Sequence, residues 1–123
     1  MTKEDCRQKL RQLRCCVLIP TYNNAGTLSS VINEVLEYSD SVIVVNDGCT
    51  DTTPEIISSF GDRIRSLTHE KNCGKGVAIM NGFAYASRLG FTHVITIDAD
   101  GQHFPSDLPL FAEAMESTPD AII

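Results

Sequence analysis

The chain has 123 residues, enough for one domain with a real core or for part of a larger domain. Its formal net charge is −6 and no run of Lys or Arg occurs, which argues against nucleic acid as a partner. The apolar content of 42% is typical of a globular protein and too high for a disordered one.

The N-terminal segment 1–14 is charged and lacks the apolar stretch of a signal peptide. No later stretch approaches the ~20 apolar residues of a membrane span, so we expect a cytoplasmic protein with no transmembrane segment in this chain. We treat 1–14 as a leader that precedes a domain at 15–123. The five cysteines form no C-x-x-C pair, and they therefore indicate reduced thiols rather than a zinc site.

Short apolar strands alternate with helices after the leader. Apolar runs predict strands at 15–19, 41–45, 63–69 (a weaker edge strand) and 93–97, and the start of another at 120–123. Helical spacing predicts helices at 28–36, 53–60, 74–89 and from 105 onward. This order predicts an α/β fold, a mostly parallel sheet with helices on both faces. Because the pattern stops within its last strand, we expect the chain to be the first half of a longer domain.

The helix at 74–89 carries two distinct lines of residues. Val77, Met80 and Phe83 lie on one side, and small residues at 78, 82 and 86 form a second line. A line of small residues allows another element to pack closely against a helix.

A polar segment follows each of the four predicted strands, at 20–24, 46–51, 70–76 and 98–103. In an open parallel sheet, ligands bind beyond the carboxyl ends of the strands. We therefore expect these four segments to converge on one rim and form a binding site.

Asp98 and Asp100 end the strand at 93–97, and their carboxylates can hold Mg²⁺ or Mn²⁺. The alternative is that Asp98 caps a turn and Asp100 is only solvated. His103 has two interpretations as well, a contact to the metal or a phosphate, or a surface residue. The position of the acidic pair at the end of a buried strand favours the metal.

Gly74 and Lys75 stand at the start of a helix, where backbone N–H groups, the helix dipole and an ammonium favour an anion. The segment is not a P-loop, because His69 and Gly76 replace the Gly and the Ser or Thr of that fingerprint. A helix cap with an exposed lysine is the alternative.

Asp47 follows the second strand, and its carboxylate can accept a hydrogen bond from a base N–H or a ribose hydroxyl. An Asx turn without a ligand explains it equally well. Tyr22 either stacks on a base or packs against the protein.

Four segments, in this order, resemble a known family: "VLIPTYNN", "VIVVNDGCTDTT", "EKNCGKGVAIMNGFAYA" and "ITIDADGQHFPSDLP". Together they are similar to the family 2 glycosyltransferases, which have the Rossmann-like GT-A fold and use nucleotide-sugar donors. The form of the last segment is most similar to the dolichyl- or polyprenyl-phosphate sugar transferases. The resemblance runs from about Cys15 to the C-terminus.

The resemblance implies roles for the residues at the strand ends. It implies a pocket for the nucleoside of a UDP- or GDP-sugar, lined by Pro20, Thr21, Tyr22 and Asp47. It implies that Gly74 and Lys75 lie near the base or diphosphate. Asp98 and Asp100 would be the D-x-D motif, which holds Mg²⁺ or Mn²⁺ on the donor diphosphate.

The resemblance also implies an inverting transfer to a polyprenyl phosphate or glycan acceptor, in the full-length protein at the inner face of the membrane. The general base and acceptor site would lie beyond Ile123, so we expect no catalytic residue in this chain and no activity from it alone. Asn46 departs from the family, which has Asp there. Apolar surface that the missing half would cover is expected to favour self-association.

Two other functions remain open. The chain can be a non-catalytic nucleotide-binding or scaffold domain. The segment "IDADG" also resembles the D-x-D-G motif of haloacid-dehalogenase-type phosphatases, in which the first Asp attacks phosphate. That family has Thr or Val where Gln102 stands, and it places the motif on its first strand rather than its fourth.

Overall fold

The computed structural model describes residues 1–101 and 104–117. Four parallel strands form one sheet: β1 (Cys15–Thr21), β2 (Val42–Asp47), β3 (Arg65–His69) and β4 (His93–Thr96). Five α-helices accompany them: α1 (Lys3–Gln12), α2 (Leu28–Leu36), α3 (Thr53–Ser59), α4 (Lys75–Arg88) and α5 (Leu108–Ser117). Single 3-10 turns lie at Gly61–Arg63 and Pro105–Asp107.

The strand order across the sheet is β3-β2-β1-β4, so β3 is an edge strand, as predicted, and β1 lies at the centre. One face of the sheet packs against α1, α2, α3 and α5, and the opposite face packs against α4. Helices on both faces confirm the predicted α/β fold. Because all four strands run the same way, their carboxyl ends meet at one edge, and the loops after them form the site described below.

The small residues of α4 form its buried face. Ala78, Gly82 and Ala86 lie against the sheet, and a Cβ on Gly82 would come within 2.6 Å of a methyl carbon of Leu18. The close approach of this helix therefore depends on the missing side chain at 82, as the line of small residues predicted. The larger apolar residues of the helix, Val77, Met80 and Phe83, are exposed.

The predicted leader 1–14 contains a helix that packs on the domain. The Thr2 side chain accepts a hydrogen bond from Asp5 N and the Asp5 side chain accepts one from Thr2 N, which forms a capping box at the start of α1. Cys6 and Leu10 are buried on the face that meets β1 and α5. The segment is therefore a structural part of the described fold.

The strand predicted at 120–123 lies outside the described residues. No helix within the described ranges, 1–101 and 104–117, has both the length and the apolar character needed to cross a bilayer.

We predict that the five cysteines differ sharply in reactivity. Burial raises the pKa of Cys15 and of Cys16 to about 12, and it also raises the pKa of Cys6. Since the thiolate is the nucleophile, an alkylating reagent at pH 8 should modify exposed Cys73 first and half-buried Cys49 more slowly. The three buried thiols should react only after denaturant is added, as mass spectrometry of peptides can show. Equal labelling of all five in native buffer would contradict this packing.

Candidate functional site

A cavity of about 270 Å³ opens where the loops after the strands meet. Its wall includes all the residues predicted for the site: Pro20, Thr21, Tyr22, Asp47, Gly74, Lys75, Asp98 and Asp100. Asn24, Asn72, Ala78 and Ala99 are the other described residues that line it. The four polar segments therefore converge on one rim, as the parallel sheet predicts; the role of each residue in binding stays a prediction.

Asp47 is the structural centre of one wall. It is buried at the end of β2, and its Oδ1 accepts hydrogen bonds from the backbone N–H of Cys73 at 2.9 Å and from His69 Nδ1 at 2.9 Å. Its Oδ2 accepts the N–H of Gly74 at 3.0 Å. One carboxylate thus fixes the loop that leads into α4, which is a larger role than the Asx turn considered from sequence.

His69 connects this carboxylate to α4. In the parallel pairing of β2 and β3, Asp47 and His69 are register partners, so their side chains lie on the same face of the sheet. Asn81 Nδ2 lies 3.0 Å from His69 Nε2 and donates to it, which leaves the His69 proton on Nδ1 for donation to Asp47. His69 was not predicted as a site residue, because its position opposite Asp47 depends on the strand register.

We predict that Asp47 makes the free energy of unfolding fall at acidic pH. Burial alone would raise its pKa, but the hydrogen bonds from His69, Cys73 and Gly74 outweigh burial and lower the pKa below the usual value for Asp. Because the pKa of Asp47 is lower in the folded than in the unfolded protein, its carboxylate stabilises the fold at pH values above the unfolded pKa of ~3.9. This contribution is lost as the pH falls through the folded-state pKa. Asp47→Asn should therefore cost about 2 kcal/mol at pH 7 and progressively less below pH ~4.

Urea unfolding at a series of pH values measures this difference. Asp62→Asn removes an exposed carboxylate at the far end of the sheet and is the matched control, with little effect at any pH. A cost of Asp47→Asn that stays constant from pH 7 to pH 2 would contradict the assigned hydrogen bonds.

The hydrogen bonds of Asp47 change one expectation about the start of α4. The sequence suggested that Gly74 offers its backbone N–H to an anion. In the structure this N–H is already donated to Asp47 Oδ2 and lies 2.9 Å from Asn72 Oδ1, so it is not available to a phosphate. Gly74 is needed for its backbone conformation, with φ at +96°. Lys75 supplies the positive charge at this point of the cavity.

Asp98 and Lys75 form an ion pair in the wall of the cavity, with Nζ 2.5 Å from Oδ1. The Lys75 side chain is 62% exposed and that of Asp98 is 24% exposed, so the pair faces solvent. Asp100, two residues on, is exposed at the same wall. Between the two acids, the Ala99 carbonyl accepts a hydrogen bond from Thr27 Oγ1 at 2.5 Å, which holds the acidic segment against the start of α2.

The loop after β1 is shaped by Asn24. Its Oδ1 accepts from Thr21 Oγ1 at 3.0 Å and from Tyr22 N at 3.1 Å, which turns the chain back at the end of the strand. The Tyr22 side chain is 46% exposed, so it is not a core residue. Its ring is thus accessible at the edge of the cavity.

Asn46 performs a structural task in the turn after β2. Its Oδ1 accepts the backbone N–H of Cys49 at 2.9 Å, which closes the turn that contains Gly48. An Asp side chain at this position has the same oxygen, so the difference from the family pattern preserves this hydrogen bond. His103, whose role the sequence left open, lies outside the described residues.

The comparisons with known proteins identify the family and agree with the fold. Residues 16–123 match the family model described as glycosyl transferase family 2, and the chain belongs to that family. It is 31% identical over 108 residues to the UDP-N-acetylglucosamine–dolichyl-phosphate N-acetylglucosaminyltransferase of Methanococcus voltae, covering 75% of this chain and 43% of the relative. It is also 31% identical over 116 residues to a polyprenol monophosphomannose synthase of Mycolicibacterium smegmatis, covering 89% and 44%.

Solved structures show the same fold. The Mycobacterium tuberculosis glucosyl-3-phosphoglycerate synthase in complex with Mn²⁺, UDP and glucosyl-3-phosphoglycerate superposes with a TM-score of 0.74 at 23% identity, over 94% of this chain and 44% of that one. Staphylococcus aureus TarS with UDP-GlcNAc gives 0.61 at 22% identity, over 84% and 31%. These likenesses show the GT-A fold. The chain spans less than half the length of these relatives.

Proposed function

We propose that this chain is the donor-binding half of a metal-dependent glycosyltransferase that uses a nucleotide-sugar. The observation that carries the proposal is one cavity that combines two kinds of wall. A paired-acid wall at Asp98 and Asp100 stands beside Lys75, and Asp47 lies on the wall formed by the loops after β2 and β3. A nucleoside diphosphate needs both kinds of group, polar contacts for the nucleoside and compensated charge for the diphosphate.

The acidic wall suits a hard divalent cation. Mg²⁺ and Mn²⁺ bind through one or two carboxylates and take phosphate oxygens and water as further ligands. Asp98 and Asp100 supply two carboxylates in the wall of the cavity, and the Asp100 side chain is exposed. When bound there, the ion would neutralise charge on the departing nucleoside diphosphate. Mn²⁺ accompanies UDP in the solved mycobacterial relative, which supports the choice of ion.

Lys75 acts on the charge of the diphosphate from beside the acidic pair. Its ammonium now compensates Asp98 at 2.5 Å, and it is exposed enough to move toward an anion in the cavity. An ammonium on a flexible stem is a common phosphate partner. Lys75 therefore keeps the acidic wall electrostatically balanced before the donor arrives, and it orients the diphosphate afterwards.

Pro20, Thr21, Tyr22 and Asp47 form the part of the wall proposed for the nucleoside. The exposed ring of Tyr22 provides a surface for a base. Asp47 keeps its charge because three donors stabilise it, so it remains an acceptor for a base N–H or a ribose hydroxyl. The proposal includes both UDP- and GDP-sugars as donors.

The acceptor is proposed from the relatives. Two of them are named for transfer to dolichyl phosphate or for making a polyprenol phosphomannose, which supports a polyprenyl phosphate over a glycan. A place at the cytoplasmic face of a membrane is part of the same proposal. The proposal places the general base of an inverting transfer outside this chain. The chain alone is accordingly expected to bind the donor without transferring its sugar.

Calorimetric titration of UDP, GDP and ADP, each with and without Mn²⁺, tests the proposal. We expect either UDP or GDP to bind, and we expect its binding to be at least about tenfold tighter when Mn²⁺ is present. Binding that ignores Mn²⁺ would favour the non-catalytic nucleotide-binding alternative, and no binding by folded protein would overturn the donor site. The phosphatase alternative loses support because the acidic motif follows the fourth strand and the family model covers 16–123.

A further inference from the structure

Three side chains of different chemistry meet at the ends of β2 and β3, on the Asp47 side of the cavity. A carboxylate oxygen of Asp47, a ring nitrogen of His69 and Cys73 Sγ all lie within 4.8 Å of one another. Oxygen, nitrogen and sulfur donors in one cluster are typical ligands of zinc. We propose that these three residues form a site for Zn²⁺ or a similar thiophilic ion, separate from the Asp98–Asp100 wall, and that the ion controls access to Asp47.

The existing hydrogen bonds show where the ion sits. His69 Nδ1 and Asp47 Oδ1 are 2.9 Å apart and share the His69 proton. An ion with ligand distances of about 2.0–2.3 Å takes the place of this proton if the two groups separate by a few tenths of an ångström. Asp47 keeps its hydrogen bonds from the N–H groups of Cys73 and Gly74, so the carboxylate does not have to turn.

The third ligand comes from the exposed loop before α4. Cys73 Sγ now lies 3.3 Å from the carbonyl oxygen of Lys71 and is already within 4.8 Å of the other two ligand atoms, so we expect the sulfur to leave that oxygen when it binds the ion. Its backbone is held in place by the hydrogen bond to Asp47. Three protein ligands leave a fourth position for water.

Asn81 provides the outer support that a histidine ligand requires. When Nδ1 binds the ion, the His69 proton moves to Nε2 and needs an acceptor. Asn81 is already 3.0 Å from Nε2 and offers its Oδ1 after a half-turn of its amide. The ring keeps one proton throughout, and Cys73 loses its thiol proton to solvent, so binding releases one proton per ion.

The two cation sites differ in preference. Mg²⁺ and Mn²⁺ favour the oxygen ligands of Asp98 and Asp100, whereas Zn²⁺ favours the cluster that contains sulfur and nitrogen. With Zn²⁺ bound, the Asp47 carboxylate is committed to a cation and becomes a weaker acceptor for a nucleoside. This inhibitory consequence rests on the proposed function, whereas the ion site itself does not.

Titration of the reduced 123-residue chain with Co²⁺ and Zn²⁺ tests the site directly. Co²⁺ should give a thiolate charge-transfer absorption that Zn²⁺ abolishes at one equivalent, and Zn²⁺ should release one proton. Cys73→Ser should remove the absorption and weaken Zn²⁺ binding at least about tenfold, and His69→Gln should also weaken it at least about tenfold. Cys49→Ser is the matched thiol control, since Cys49 contacts Thr21 and Asn23 instead of the cluster, and it should bind like the wild type.

Equal Zn²⁺ affinity in the wild type and in Cys73→Ser would overturn the site, as would absence of Zn²⁺ binding by folded protein. Cys73 is exposed, so its replacement is not expected to unfold the chain even if His69→Gln does. A second titration measures the nucleotide of the proposed function with Zn²⁺ added. Weaker nucleotide binding in the wild type but not in Cys73→Ser supports the control of Asp47, and equal binding with and without Zn²⁺ rejects that control while leaving both sites intact.

Discussion

Replacing either acid of the Asp98–Asp100 pair by Asn is expected to abolish metal-dependent nucleotide binding, with a loss of about 100-fold or more. The amide preserves the size of the side chain but removes the charge that holds a divalent ion. Without the ion, the diphosphate faces the remaining carboxylate of the same wall, and repulsion adds to the lost attraction. Binding in the absence of Mn²⁺ should change far less, and the comparison of the two conditions in calorimetry isolates the metal.

Folding should survive these substitutions. Asp98→Asn removes an ion pair with Lys75 that faces solvent, and exposed pairs contribute about 0–1 kcal/mol. Asp62→Asn removes the same charge at the opposite end of the sheet and should bind nucleotide like the wild type. Unchanged Mn²⁺ dependence in Asp98→Asn would contradict the assignment of the metal to this wall.

Gly48→Ala is expected to destabilise the protein by about 3 kcal/mol or more and to weaken nucleotide binding. Gly48 has φ at +69°, a conformation that costs an L-residue about 1–2 kcal/mol. A Cβ there would lie 2.2 Å from Asn72 N and 2.3 Å from the carbonyl carbon of Lys71. Both are backbone atoms, so the loop itself must move, and with it the N–H groups of residues 73 and 74 that hold Asp47.

Two other glycines serve as controls that separate the cost of backbone strain from the cost of a steric clash at the added Cβ. Gly90 has φ at +94° with open space around its Cβ position, so Gly90→Ala should cost only the strain of about 1–2 kcal/mol. Gly26 has neither a positive φ nor a neighbour within 4 Å, and Gly26→Ala should be within about 0.5 kcal/mol of the wild type. Urea unfolding ranks the three variants, and a Gly48→Ala cost equal to that of Gly90→Ala would show that the loop yields without penalty.

Much of the fold could be predicted because the patterns that determine it are local. Apolar runs at 15–19 and 41–45 place β1 and β2 within one or two residues of their observed bounds, and helical spacing identifies α2 at 28–36. The gathering of Asp47, Lys75 and Asp98 at one cavity follows from parallel strands alone. These predictions need no knowledge of which side chains touch.

The contacts inside the site depend on register and on loop shape, and the sequence does not show them. The register of β2 with β3 brings together His69 and Asp47, which are 22 positions apart in the chain. Cys73 contacts Asp47 through its backbone N–H. The absence of a C-x-x-C pair argued against zinc, and the proposed cluster escapes that test because it contains one cysteine and takes its other donors from Asp47 and His69. The spacing of His69 and Cys73, three residues between them, was the one local signal of the cluster.

Helix α4 also shows what composition alone cannot decide. Either of two lines of residues on this helix could face the sheet. The line of small residues faces it, because Leu18 leaves no room for a larger side chain at 82. Val77, Met80 and Phe83 consequently remain exposed. Self-association through such apolar surface stays a prediction, which light scattering at increasing concentration can test.

We expect a nucleoside diphosphate and a divalent ion to bind together in the cavity at the strand ends. Paramagnetic broadening of backbone amide resonances by Mn²⁺, with and without the nucleotide that binds in calorimetry, locates that ion directly. We predict strong broadening at Gly74 and at residues 98–101 only when both the ion and the nucleotide are present, with no change at Asp62 and loss of the effect in Asp98→Asn. Broadening centred elsewhere in the folded, nucleotide-bound protein would contradict it.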